Sequence, residues 1–255
     1  MAAKSCNDPA MPLMMLPGTL CDARLFAPLR ARLGPRQTVI GDMYGLSTTA
    51  ALAERLLERA PERFALLGFS LGAIVALEIA ARAPGRVAGL ALIGGNAHDV
   101  PESEQAERRA ALAGIAAVDA HVADTLWPSY VAEPADPALR AMVVAMARAA
   151  PADALAVQTE LALSRGDSRP RLAAIAGPTL VLAGTDDAIN PPAVQRAMAA
   201  AIPDARLRLI GHAGHFVPVE QPDACARAVA EWLDEVDAFA RAPHSMITSR
   251  LKEAS

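Results

Sequence analysis

Short runs of consecutive apolar residues, separated by stretches with helical spacing, set the pattern of the first part of the chain. Leu13-Met14-Met15-Leu16 reads as a buried strand that stops at Pro17-Gly18. Thr38-Val39-Ile40, Phe64-Ala65-Leu66-Leu67 and the run Val87–Ile93 read the same way. Between them, Phe26, Leu29 and Leu33 mark a helix stopped by Gly34-Pro35. Leu52, Leu56 and Leu57 mark a second helix, capped by Ser47 and ended by Pro61. Residues 71–83 form a third helix, apolar on nearly every side, which Pro84-Gly85 terminates. Such alternation of near-continuous apolar strands with helices predicts a parallel sheet covered on both faces.

The rhythm breaks at Gly94-Gly95-Asn96. Residues 101–165 contain no strand pattern and predict helices at 102–116, 119–129, 136–149 and 151–164. It resumes with a strand at 178–183, a helix through Val194 and Met198, and the strand Arg206–Ile210. The last helix starts at Pro222 and puts Cys225, Val229, Trp232, Leu233 and Val236 on one face. The expected organisation is a core made of 1–96 and 167–255, with a helical insertion at 97–166. Beyond Arg241 the periodicity fades and fraying is expected.

Composition narrows the partners. A net charge of −4 with 20% charged residues leaves no electrostatic footprint for nucleic acid or an anionic membrane. No apolar run approaches the roughly 20 residues that span a bilayer. Residues 1–12 hold one lysine and no apolar segment with a cleavage site, so no secretory signal is expected. Cys6, Cys21 and Cys225 are odd in number and scattered, which favours reduced thiols in a cytoplasmic protein over a disulfide framework or zinc site.

Gly68-Phe69-Ser70-Leu71-Gly72 joins a strand to a helix. That context suits a nucleophile elbow, in which a tight turn projects the serine above the sheet. A side chain at Gly68 or Gly72 would strike the neighbouring strand or helix. The plainer alternative is a turn with a capping serine. A serine hydroxyl needs a base within hydrogen-bond reach, itself oriented by a carboxylate. Loops at the carboxyl ends of parallel strands converge on one edge, so the partners should follow other strands. Gly184-Thr185-Asp186-Asp187 follows one, and His212-Ala213-Gly214-His215 follows another. The resulting order of Ser, Asp and His matches hydrolases with this elbow. Asp99, after the strand ending at Ile93, is a further candidate carboxylate.

These motifs resemble the α/β-hydrolase superfamily, in its branch of small serine esterases with a helical cap. The likeness runs from Leu13 to about Phe239. It rests on the elbow, on the stretch from Gly184 to Pro191 and on the stretch from Gly214 to Pro222. It implies an α/β fold with a mostly parallel sheet of about six strands, shortened at the edge where the family usually places two earlier strands. The family pattern G-x-x-D-x-x-x-P selects Asp187 over Asp186, and G-H-x-x-x-x-E-x-P selects His215 over His212. Ser70, Asp187 and His215 are then the catalytic residues, with Leu71 and Thr19 as oxyanion donors. Pro17-Gly18-Thr19 stands where relatives carry His-Gly, and Leu20 is a substitute donor. Phe69, Leu20, Trp127 and Phe216 are expected pocket walls. Tyr130, Met142 and Met146 join them as candidates, though their helical spacing equally suits simple packing. Glu220-Gln221-Pro222 is expected to open the last helix, with Pro222 in its first turn. The implied activity is hydrolysis of a carboxylic ester or thioester of a small to medium acyl group, with no metal or organic cofactor. Acyl transfer, carbon–carbon bond hydrolysis and perhydrolysis are the alternatives on the same residues, and a non-catalytic ligand receptor is a third class.

Overall fold

The computed structural model describes residues 10–115, 117–132 and 136–242; Cys6 lies outside them. Six strands, β1 Leu13–Leu16, β2 Thr38–Ile40, β3 Phe64–Phe69, β4 Val87–Ile93, β5 Thr179–Gly184 and β6 Arg206–Ile210, form one sheet. Its order is β2-β1-β3-β4-β5-β6, and every pairing is parallel. The chain leaves β1 toward one edge and returns to pair β3 on the other side of β1. The carboxyl ends of β1 and β3 therefore flank a topological switch point, the place where open α/β sheets hold ligands. The register sets Leu16 beside Gly68, Phe69 beside Ile93, Ile93 beside Leu182 and Gly184 beside Ile210. Most strand ends thus lie level, and the loops after them share one edge.

Alternation along each strand decides which face a residue serves. Leu13, Met15, Leu67, Phe69, Ile93 and Leu182 pack on one side of the sheet. Met14, Leu16, Leu66, Leu92 and Val181 pack on the other. The first face is covered by α1 Ala27–Arg30 and α11 Pro222–Ala240, whose Trp232, Val229 and Val236 are buried. The indole N–H of Trp232 donates to the Pro178 carbonyl at 2.9 Å, so this large ring is buried with its polar atom satisfied. The second face is covered by α2 Thr49–Arg59, α3 Leu71–Arg82 and α9 Pro192–Ala201.

Between β4 and β5 run α4 Glu102–Ala113, α5 Val118–His121, α6 Trp127–Tyr130, α7 Pro137–Ala149 and α8 Ala154–Leu163. No strand occurs in this stretch among the described residues. α4 buries none of its residues, and Arg109 on it pairs with Glu160 of α8 at 2.7 Å. α8 reaches both faces' clusters, through Ala154 and through Leu161. A short helix α10, Val217–Glu220, precedes α11.

Local differences from the sequence reading have local causes. Thr48, not Ser47, caps α2, its hydroxyl accepting from the Ala51 N–H at 3.3 Å. The first helix is a 3₁₀ turn at Ala23–Phe26 followed by α1, because Asp22 caps it early and Pro28 sits in the next turn. The helix expected at 119–129 contains a π segment, Val122–Leu126. Glu220 ends α10 instead of opening α11, whose first residue is Pro222.

Glycines hold the elbow against the sheet. A Cβ on Gly68 would meet the Gly72 carbonyl and Ala73, and one on Gly72 would meet the backbone of Leu16 and Pro17. Since backbone cannot yield as a flexible side chain can, Gly72→Ala is expected to destabilise the fold by about 1–3 kcal/mol. Thermal unfolding measures this as a Tm lowered by several degrees; an unchanged Tm would contradict the packing described.

Candidate active site

β3 ends at Phe69 and α3 begins at Leu71, so the direction change falls on Ser70 alone. Its backbone takes φ 52° and ψ −112°, a region that costs a non-glycine residue about 1–3 kcal/mol. Backbone hydrogen bonds hold it there. The Ser70 N–H donates to the Ile93 carbonyl at 2.9 Å, and its own carbonyl accepts from the Ala73 N–H at 2.9 Å. The hydroxyl makes no cap on α3. It instead lies 2.9 Å from His215 Nε2. The capping alternative is therefore not the one the geometry adopts.

Asp187, on the loop after β5, is 2% exposed. Its two oxygens face different ways. Oδ1 accepts from the N–H groups of Ile189 and Asn190, each at 2.9 Å, while Oδ2 lies 2.9 Å from His215 Nδ1. The carboxylate can only accept, so Nδ1 carries the ring proton and Nε2 offers its lone pair to Ser70. Asn190 extends the support by donating to the Gly94 carbonyl at 2.8 Å. Gly94, at φ 55°, lies against the imidazole edge, and a Cβ there would sit 3.2 Å from His215 Cε1. Asp186 points to solvent and serves through its N–H, which donates to the Ala213 carbonyl. His212 and Asp99 are exposed, and the hydrogen bonds of Ser70 Oγ and of the His215 ring go to neither among the described residues.

His215 is 1% exposed. Its loop is tied to the end of α6: the His215 N–H donates to the Tyr130 carbonyl. Glu220 adds a second tie. Its Oε2 accepts from the Gly214 N–H at 2.9 Å and from the Ala132 N–H at 2.8 Å. Burial pushes this carboxyl up, against the opposing pull of those N–H groups. Sequence spacing gives Glu220 a place at the opening of the last helix and in the pattern that selects His215; its tie to Ala132 spans 88 positions, a distance no local pattern records.

The loop after β1 lies against the elbow. Gly18 sits so close that a Cβ would come 3.3 Å from Ser70 Cβ and 2.8 Å from the Phe69 ring. The Cys21 N–H closes the turn onto the Gly18 carbonyl at 3.1 Å. The Leu20 N–H is taken by Gln158 Oε1 at 2.8 Å. The N–H groups of Thr19 and Leu71 have no acceptor among the described residues.

Aromatic rings close around the imidazole. Phe69 and Tyr130 each lie 5.2 Å from it, centroid to centroid, and Phe216 lies 5.7 Å from Phe69. Trp127 stands 6.1 Å from Phe216, and Leu20 is buried nearby in the same cluster. Met146 is fully buried in the core and Met142 packs against it. A cavity of about 590 Å³ lies elsewhere, lined by Val87, Gly89, Leu172, Ile175 and Phe239. Burial pushes the thiols of Cys21 and Cys225 up to about 12, so neither offers a thiolate near neutral pH.

The profile of the alpha/beta hydrolase family matches residues 13–228. The chain belongs to the alpha/beta hydrolase family. It is similar to the pimeloyl-[acyl-carrier protein] methyl ester esterase of Aromatoleum aromaticum, at 31% identity over 70% of this chain and 77% of that protein. Among solved structures it resembles a thermophilic esterase from Thermogutta terrifontis, at 28% identity and a TM-score of 0.81, covering 90% of this chain and 91% of the other. It also resembles the enol-lactonase from Burkholderia xenovorans LB400, at 25% identity and a TM-score of 0.76, covering 90% and 94%. Membership with such relatives makes this alpha/beta hydrolase an enzyme of the hydrolase class. Among its described residues no helix is long and apolar enough to cross a membrane.

The strain at Ser70 predicts a separation between two inactive variants. Alanine keeps the unfavourable φ, whereas glycine adopts it freely. Ser70→Gly should therefore unfold at a higher temperature than Ser70→Ala, by about 1 kcal/mol of stability. Equal or reversed Tm values would contradict a strained turn.

Proposed function

We propose that this hydrolase cleaves a carboxylic ester or thioester of a small to medium acyl group through an acyl-enzyme on Ser70. The observation that carries the reading is the unbroken chain of hydrogen bonds from Asp187 through His215 to Ser70, with both links at 2.9 Å. His215 Nε2 takes the hydroxyl proton as Ser70 Oγ attacks the acyl carbon. Asp187 remains ionised, keeps the ring in the tautomer that leaves Nε2 free, and stabilises the imidazolium that forms. The oxyanion is held by the N–H groups of Thr19 and Leu71, each contributing about 3–4 kcal/mol to the transition state. His215 then returns the proton to the leaving alcohol or thiol. Water, deprotonated by the same nitrogen, attacks the acyl-enzyme and releases the acid.

The surrounding residues support an apolar acyl group. Phe69, Phe216, Trp127 and Leu20 are at most 6% exposed and form the walls next to the reacting centre. The helices of 97–166 serve as a lid over them, since Trp127 and Tyr130 reach the site from that insertion. Likeness to a methyl ester esterase and to an enol-lactonase favours oxygen esters among the carbonyl substrates. Buried free thiols at Cys21 and Cys225 fit a cytoplasmic setting, and the expected partner is a small-molecule acyl substrate, not a nucleic acid or membrane.

A panel of p-nitrophenyl esters of increasing chain length tests this reading. Turnover is expected, with kcat lowered at least about a thousandfold in Ser70→Ala and in His215→Ala. Asp187→Asn is expected to lose up to about 10⁴-fold through the wrong tautomer. Undiminished turnover in Ser70→Ala would refute the mechanism. A single burst of p-nitrophenol without turnover would instead assign the acyl group to an acceptor other than water, as in acyl transfer.

A further inference from the structure

The sheet has a second concave place, at the edge opposite Ser70. A cavity of about 590 Å³ lies at the amino ends of β4 and β5, walled by Leu77, Leu90, Leu172, Ile175 and Phe239. Its volume falls in the range of small-molecule sites, and its walls are mostly apolar, as in such sites. Two features of the chain shape this end. The register between β3 and β4 slips: Phe64 faces Val87 but Ala65 faces Gly89, so Ala88 is an extra residue that bends the strand. After α3 the wall is Pro84-Gly85, and a Cβ on Gly85 would meet nothing within 4 Å.

The charges around this cavity have one sign. Arg63 and Arg171 are the charged residues of its described lining, and no carboxylate joins them. Arg171 is paired: its guanidinium donates to Glu78 Oε2 at 3.0 Å and to Ser168 Oγ at 2.9 Å, tying α3 to the 3₁₀ turn Arg169–Ala174. Glu78 is shared with Arg82, which donates to its other oxygen at 2.7 Å. Arg63 is half-buried, and its guanidinium has no hydrogen bond or ion pair among the described residues. A guanidinium with five N–H donors, set beside apolar walls, suits an anion that carries its own apolar body.

We propose that this cavity is a second binding site, for an aliphatic carboxylate: the alkyl chain lies between α3 and the 3₁₀ turn, against Leu77, Leu90 and Leu172, and the head group pairs with Arg63. The walls offer one aromatic ring, Phe239, which favours an aliphatic body over a stacked aromatic one. A carboxylate accepts two parallel N–H bonds from one guanidinium, a geometry that an alcohol or an amine cannot reproduce. The site is separate from the chemistry at Ser70, because the two lie at opposite edges of one sheet. Its occupancy therefore does not depend on which ester is cleaved.

Photolabelling of the full chain with a diazirine-bearing decanoate, read by peptide mass spectrometry, tests the assignment. Saturable adducts are expected in the segments 77–90 or 168–177. Octanoate should displace them at lower concentration than octanol, and octylammonium should displace them least. Arg63→Gln should raise the half-saturating concentration about 5- to 10-fold, the loss of one partly exposed charge-assisted pair. Gly85→Trp, which fills open space at a position with no positive φ, should remove the labelling while ester turnover stays unchanged. If Gly85→Trp does not fold, Ala174→Trp fills the cavity from the 3₁₀ turn and decides the same point. An arginine whose stem merely covers apolar surface, with its head in water, predicts an unchanged constant in Arg63→Gln. That result, equal displacement by octylammonium, labelling that survives the tryptophan, or adducts confined to the loops around Ser70 would each overturn the proposal.

Discussion

One residue must turn the chain from strand to helix, and the site depends on that constraint. Phe69 still pairs in the sheet with Ile93, and Leu71 already begins α3. Ser70 takes up the whole reversal in a conformation that side chains avoid. The helix must then start so near the sheet that only Gly68 and Gly72 fit against each other and against Leu16 and Pro17. This closeness has a chemical result. It sets the first turn of α3, with the N–H of Leu71, beside the loop that follows β1. Since β1 and β3 are neighbours on the two sides of the switch point, the proposed nucleophile and both proposed oxyanion donors come from adjacent loops.

Most polar groups behind Ser70 are paired, with Gln195 Oε1 and Glu220 Oε1 buried without a partner among the described residues. Asp187 accepts two backbone N–H bonds from its own turn on one oxygen and keeps the other for the imidazole. Buried carboxylates persist as charges only when so bonded. Asn190 links this turn to Gly94, and Gln195 donates to the Gly95 carbonyl at 2.8 Å, so the segments after β4 and β5 are tied together. The stretch between β4 and β5 reaches the opposite side of the site by hydrogen bonds: the Tyr130 carbonyl on His215, the Ala132 N–H on Glu220, and the side chain of Gln158 on Leu20. Two of the loops that bear the proposed chemistry, those of His215 and of Thr19, therefore have their geometry set in part by this helical stretch.

Much of this was legible because the strands are continuous apolar runs. Leu13–Leu16, Phe64–Phe69 and Thr179–Gly184 are buried at every position, so nothing in them mimics an exposed face. The three residues at 70, 187 and 215 were legible because each follows a strand end, and parallel topology sends such ends to one edge. What escaped were features decided by partners far along the chain. Thr48 rather than Ser47 caps α2, a choice between adjacent hydroxyls that only backbone direction makes. The π segment at Val122–Leu126 keeps the same apolar spacing as a regular helix. Glu220 resembled a helix-opening residue; its hydrogen bond to the Ala132 N–H reaches across 88 positions, and that of Gln158 to the Leu20 N–H reaches across 138.

The central claim is that the turn at Ser70, joined to His215 and Asp187, makes this hydroxyl the nucleophile. Stoichiometric reaction with a fluorophosphonate, followed by peptide mass spectrometry, measures that directly. The account predicts one adduct per chain, on the peptide containing Ser70, formed quickly in the native protein and lost when His215 is replaced by alanine. An adduct on another residue, or labelling of Ser70 that proceeds equally well without the imidazole, would contradict it.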